Sequence, residues 1–294
     1  MSGSAAAATS STTINECVPT IIAAALLELD EGNIVAPLVT DVPFSGPGLT
    51  HQTPFIARIT SDTDDSLAYQ SMESSGSDET SPSTCEVGVH GAYIQLKDIA
   101  AVTSNSDLAA LAGQLIGQCL VVRRDLDLIT LFTSITASTG STTTAAMAPS
   151  DLYTAYGTLR KRHAPLPYHL VLHPMQIWST YHLINLFDNS ADAINNGGGV
   201  GTVGEDFARY GFAGMAMGFT LWADANVVLT TATGSGAAFS RAVMKNVRKR
   251  DFQIEIEREA TEVADKIVGT EIRGEAILRN KHGVEMIFPS FVAV

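Results

Sequence analysis

Cationic residues are scarce in this chain. It has 18 Lys and Arg against 31 Asp and Glu, a net charge of −13. Before Lys97 the only base is Arg58, which faces twelve acids, so residues 1–96 carry −11 and the remainder −2. A protein that reads nucleic-acid sequence needs Lys and Arg for phosphate contacts, and this balance excludes that role. It leaves open a protein that merely encloses nucleic acid. Cysteine is almost absent too: Cys17, Cys85 and Cys119 are too few and too scattered for a disulfide framework, and no two form a metal-type pair. That usage fits a reducing compartment. Residues 1–13, Ala/Ser/Thr-rich, lack the basic and apolar regions of a signal peptide. No apolar run is long enough to cross a bilayer: the best, Leu108–Val122, is interrupted by Gln114 and Gln118. A soluble protein without a membrane partner is expected. Its Gly113–Gly117 spacing is read as close packing of a helix on a sheet.

What is present is 45% hydrophobic and 17% charged, a globular composition long enough for one large domain or two smaller ones. A short helix is expected over Pro19–Asp30 with Ile22, Leu26 and Leu29 as its stripe. Ile34–Phe44, broken by Pro37 and Pro43, reads as an extended strap. Two strand-like runs then follow, His51–Thr60 and Thr84–Lys97. Between them Ser61–Ser83 holds Asp62, Asp64, Asp65, Glu73, Asp78 and Glu79, eight serines and no base. An isolated ribbon is marginal in water, and a loop this long is functional or disordered. The arrangement predicts either a surface insertion or an arm that becomes ordered on a neighbouring subunit. Apolar parity flips after Gly91, which predicts a β-bulge there.

The strongest helix starts at Ser106 or Asp107 and runs to about Thr133, with Leu108, Leu111, Leu115, Cys119, Val122, Leu126 and Ile129 as the expected buried stripe. Ser138–Ser150 reads as a linker and Asp151–Lys161 as a helix. His169–His173 is a strand, and Pro174 opens a helix to Phe187. Asn195–Gly204 is a glycine-rich loop, Phe219–Val228 contains a strand, and Gly234–Gly236 marks a break. Near the end, Phe252, Ile254 and Ile256 alternate with polar residues. So do Val268, Thr270, Ile272 and Ala276 with Glu271, Arg273 and Glu275. Val284, Met286 and Phe288 complete the series. This pattern predicts antiparallel strands with one wet face and the other against the long helix.

That order of parts, with the phrases "YIQLKDIA" at Tyr93–Ala100, "LVLHPMQIW" at Leu170–Trp178 and "GEAILRNKHGVEMIF" at Gly274–Phe288, resembles the major capsid protein of tailed bacteriophages, the Hong Kong ninety-seven type fold. The resemblance implies an α+β fold made of an N-terminal arm (1–45), an E-loop ribbon (46–97), a P domain with its spine helix (98–148), an A domain (149–236) and the completion of the P domain (237–294). It implies a subunit of an icosahedral head, tiling with itself into hexamers and pentamers around double-stranded DNA. The virion is its place, after assembly in the host bacterial cytoplasm. Partners implied are a portal protein, a separate scaffolding protein, since only about a dozen residues precede the first helix, and a cement or decoration protein. No catalytic site, cofactor or metal is expected. Some members of the family lock the shell by an isopeptide bond from an E-loop lysine. Lys97, at the ribbon's base, is the first lysine here, so non-covalent assembly is expected. An encapsulin-like nanocompartment shares the fold and is the alternative.

Other motifs point elsewhere. Gly199, Gly201 and Gly204 match a dinucleotide-binding pattern with Asp224 at ribose-acid spacing, which gives a dinucleotide-dependent enzyme as a second alternative. However, a helix and Asn195–Asn196 precede the glycines, and Glu205 and Asp206 would stand where phosphate must sit. His163, His169, His173 and His182 have no acidic or thiol companion at ligand spacing and read as packing or capping residues. The one dense basic cluster is Lys245, Arg248, Lys249 and Arg250. With Arg58 and the acidic tip, it makes up the candidate interface set, either as counter-surface to a neighbour's acidic ribbon or as a patch touching packaged nucleic acid. Charge complementarity favours the first.

Overall fold

The computed structural model describes residues 21–25, 33–54, 82–97, 108–140, 149–178, 212–216, 218–229 and 233–289. Strands β1 (Thr40–Pro43), β2 (Thr50–Thr53), β3 (Ser83–Glu86) and β4 (Gly88–Lys97) precede the long helix Leu108–Thr130, which tightens into a 3-10 turn at Leu131–Ser134. β5 (Ser138–Gly140), helix Pro149–Lys161, β6 (Tyr168–Leu172), helix Pro174–Trp178, β7 (Phe212–Ala216) and β8 (Phe219–Ala223) follow. β9 (Thr233–Ser240), β10 (Met244–Glu259), β11 (Ala264–Ile277) and β12 (Gly283–Pro289) complete the chain. They form a four-stranded sheet in the order β1-β10-β11-β4, a six-stranded sheet β5-β12-β9-β6-β8-β7, and the two-stranded β2-β3. Strands drawn from 237–294 thus serve both large sheets.

The long helix lies on the four-stranded sheet, where Ile116 and Leu120 meet Ile267, Ile94, Ile254 and Ile256. Its far end enters a second core, with Leu128, Ile129 and Phe132 against Val171 and Phe239 of the six-stranded sheet. Helix Pro149–Lys161 covers that sheet's other side through Leu152, Ala155 and Leu159. As the alternation predicts, Val284, Met286 and Phe288 are all buried.

The helix buries Ile129 of the expected stripe but not the members from Leu111 to Val122. Leu111, Leu115 and Val122 are 45%, 53% and 44% exposed, and Cys119 is exposed as well. The buried line is Ala112, Ile116, Leu120 and Val121. From Leu108 to Val122 no residue is charged, so periodicity alone had two apolar faces to choose between. Small residues decided. A Cβ on Gly113 would lie 2.5 Å from the Ile21 carbonyl oxygen, so Gly113 meets the helical segment 21–25, rather than a sheet. In that segment Ile21 and Ala25 are buried and Ile22 only half-buried.

The parity of β11 is also opposite to expectation. Ile267, Gly269, Glu271 and Arg273 alternate as buried residues, with Ile267, Glu271 and Arg273 at 0%, 3% and 1% exposure, and Glu271 and Arg273 meet the long helix. Val268 and Thr270 are half-buried on the other face. The second ribbon run is not one strand: it breaks at Val87, β3 pairing with β2 and β4 with β11 in continuous register. The parity change therefore falls at Val87–Gly88, where the chain changes partners, and not at Gly91; Val89 is left 69% exposed. Gly234–Gly236 is no break but part of β9, where Gly236 lets the Val171 carbonyl approach to 2.3 Å from where a Cβ would be. The expected linker contributes β5, parallel to β12.

Candidate assembly surface

The strap supplies β1, an edge strand parallel to β10 with Pro43 at its end, where a missing amide is tolerated. From the strap the chain turns into the ribbon. Its root, β2 against β3, pairs Thr50 with Glu86 and Thr53 with Ser83. The root is fastened to the four-stranded sheet. Ser83 Oγ donates to the Ile277 carbonyl at 2.5 Å, and the Val87 amide to Leu49 at 2.8 Å. Lys245 Nζ donates to Thr53 Oγ1 at 2.9 Å and to the Ser83 carbonyl at 2.7 Å. Lys245 is fully buried, and burial pushes its ammonium below the usual lysine range.

Lys245 therefore leaves the candidate surface set, because its charge is spent inside its own subunit. The other three bases fare differently, since strand alternation and register shifts at Arg248/Arg250 and Arg250/Gln253 send them apart. Arg248, half-exposed, pairs with Asp41 at 2.8 Å and Asp251 at 3.1 Å. Lys249 donates to the Gly48 carbonyl and lies 5.0 Å from the Phe44 ring centroid. Arg250 donates to Thr270 Oγ1 at 2.9 Å. Arg58, Asp62, Asp64, Asp65, Glu73, Asp78 and Glu79 lie outside the described residues.

A second cluster was invisible in the sequence. Between the long helix and β11, Arg273 Nε holds Glu271 at 2.6 Å and its Nη2 holds Asp127 at 3.1 Å, while Nη1 meets Glu275. Arg124 reaches Glu271 at 2.6 Å, and Arg123 reaches Asp127 at 3.0 Å. Three bases thus balance three acids, locking helix to sheet. His90, Asp127 and Glu275 bring ligand-type atoms within 4.8 Å of one another beside an open cleft of about 450 Å³. The Arg273 guanidinium contacts both carboxylates, and a cation there would have to displace it.

The remaining singled-out residues resolve simply. His173 Nδ1 accepts from the Met175 amide at 3.0 Å, capping the helix it precedes. His169 Nδ1 sits 2.6 Å from Thr220 Oγ1, and burial, with Arg241 nearby, lowers its pKa. His163 adopts φ 55° just past helix Pro149–Lys161; His182 and Gly199–Gly204 lie outside the described residues. Asp224, the ribose-acid candidate, is 1% exposed with Oδ1 on the Asn226 amide at 2.8 Å, unavailable to a ribose. Among the described residues no helix is long and apolar enough to cross a membrane.

No family model and no curated protein sequence matches the chain. Solved structures do. The capsid structure of the cyanophage P-SCSP1u is 17% identical over 85% of this chain and 86% of that one, with a TM-score of 0.60. The head structure of Helicobacter pylori bacteriophage KHP40 is 8% identical, over 88% and 91%, at 0.59. The chain has the Hong Kong ninety-seven type capsid fold. The fold also extends to the holo-SrpI encapsulin complex from Synechococcus elongatus PCC 7942, 13% identical over 97% and 91%, at 0.57. Within this α+β fold, the long helix Leu108–Thr130 is a spine helix in the sense that it packs into the cores of both large sheets, and β2–β3 is the root of the ribbon.

Proposed function

We propose that this chain is a major capsid protein, the self-assembling subunit of the icosahedral head of a tailed double-stranded DNA bacteriophage, with a structural rather than catalytic role. The observation that carries this reading is the fold, shared over more than four-fifths of both chains with phage capsid and head structures. The fastened ribbon root supports it, because Lys245 holds together Thr53 and Ser83, the two strand ends between which the acidic segment is inserted in the sequence. In this reading the acidic ribbon of one copy lies on the next, with Arg248, Lys249 and Arg250 as its counter-surface, in hexamers and pentamers. A portal protein, a separate scaffolding protein and a cement or decoration protein complete the head, which encloses DNA without reading its sequence. Subunits assemble in the bacterial cytoplasm and reside in the virion. Electron microscopy of the purified chain tests the reading: closed shells are expected, and only unassembled subunits under all assembly conditions would refute it. The encapsulin match makes a nanocompartment shell the second reading. Nuclease-protected DNA in particles from their native host supports the phage head; protein cargo without DNA supports the compartment.

A further inference from the structure

The spine helix is covered on one side and bare on the other. Towards the core, Ile116 and Leu120 meet the four-stranded sheet. Asp125, 1% exposed, accepts the Ile34 amide at 2.9 Å and those of Val35 and Ala36 at 3.3 and 3.4 Å, so the strap closes over the buried line as well. The outward side carries exposed Leu111, Leu115 and Val122, with exposed Cys119 among them and half-buried Leu126 beyond. Exposed Gln114, Gln118 and Arg123 run beside this row. A surface helix ordinarily turns charged and polar residues to water, yet Leu108 to Val122 contains no charge. Single apolar residues on a surface need no explanation, whereas a contiguous apolar patch marks a place of contact.

The order of residues along the row identifies the partner. Laid antiparallel on a copy of itself, with a two-fold axis between Gln118 and Cys119, the face from Leu111 to Leu126 matches throughout. Leu111 then faces Leu126, Leu115 faces Val122, Gln118 faces Cys119, and Gln114 faces Arg123. Apolar side chains meet apolar ones, and no charge meets its like. Such self-complementarity is what an isologous contact requires, and a helix of another protein would not call for it. We propose that the outward face of the spine helix is a self-docking surface, on which two copies of this chain pair antiparallel about the Gln118–Cys119 step. The seam is about 22 Å long. So few side chains fall well short of the roughly 800 Å² that each partner contributes to a stable complex. The contact is therefore weak between free subunits and holds where other contacts already bring copies together. It is independent of whether the particle is a phage head or a compartment.

Cys119 lies at the axis, where helices about 8–10 Å apart bring its two Cα atoms into the range of about 4–7 Å that a disulfide needs. With Cys17 replaced by Ser and Cys85 buried, mild oxidation of the concentrated subunit and of assembled particles should give a reducible dimer, lost in Cys119→Ser. Oxidation accumulates every pair that forms, so a weak contact suffices. Register is read with Leu115→Cys and Val122→Cys, each in the Cys17→Ser, Cys119→Ser background. Cysteine is itself a small hydrophobe, so the seam persists. Mixed or co-assembled, the two variants should cross-link with each other. Alone, neither should, because the two copies of either residue lie about 10 Å apart along the axis. Absence of the Cys119 dimer from both subunit and particles overturns the proposal. So does a mixture that fails to cross-link, or a single variant that cross-links with itself as readily as the mixture.

Discussion

Replacing Arg273 by Met should unlock the spine helix from its sheet. Arg273 is 1% exposed and touches three carboxylates, Glu271, Asp127 and Glu275. Methionine retains most of the side chain's apolar length, so the loss reports charge more than volume. Afterwards Glu271 keeps Arg124 and Asp127 keeps Arg123, whose side chain is 60% exposed, while Glu275 loses its partner. Removing one member of a buried ion pair costs about 3–5 kcal/mol, because the other charges stay desolvated and uncompensated. Against a total stability of about 5–15 kcal/mol, the subunit should survive but become marginal. In urea, with a slope of about 3 kcal/mol per M, the unfolding midpoint of the unassembled subunit should fall by about 1–2 M. Arg273→Lys, which keeps the charge but not the planar fork, should lie between. A midpoint shift below about 0.5 M at unchanged slope would mean that water already reaches these carboxylates, and the cage would then not be what holds helix to sheet.

Deleting Asp62–Ser81 should leave a folded, soluble subunit that makes no stable shells; particles of normal yield and shape would contradict the ribbon's role as an intersubunit arm. Lys245→Met strips the Ser83 carbonyl and Thr53 hydroxyl of their donor and should cost about 1–3 kcal/mol, with hydrogen exchange rising first at 50–53 and 83–86. Reversing Arg248 and Lys249 to Glu should change folding stability by about 1 kcal/mol or less while impairing assembly, most visibly at low salt, where rim charges act; unchanged assembly yield there would remove this patch from the interface. Since the first lysine is Lys97, mature particles boiled in detergent and reductant should run as one band at the 31.1 kDa monomer, and a ladder of multiples would show covalent locking.

Period-two patterns were legible wherever one strand face is uniformly apolar. Val284, Met286 and Phe288 are the clearest case, and Phe252, Ile254 and Ile256 point to the helix as read. Charge misled in β11, because Glu271, Arg273 and Glu275 look like a solvated face. What desolvates them is a cage closed by Asp127, 146 residues earlier, a pairing that no local window contains. Lys245 was misjudged for a related reason. Four bases lie within six positions, yet a strand sends alternate residues to opposite faces, so proximity in sequence did not keep Lys245 on the surface with Arg248. Asp125 carried a usable signal. It falls on the buried helical line with Val121 and Leu128, and a carboxylate on a core line needs donors. The acidic tip that dominated the sequence reading lies outside the described residues, so its role rests on the deletion experiment.

The grip of Lys245 has a mechanical corollary. It holds Thr53 and Ser83 together, the last described pair on the side from which the acidic segment departs. Tension arriving along the ribbon therefore meets both legs at one ammonium and passes into β10. That strand is flanked by β1 and β11, so many hydrogen bonds resist in shear at once instead of opening one after another. Strain arriving along the ribbon would be delivered to the middle of the sheet rather than to its edge.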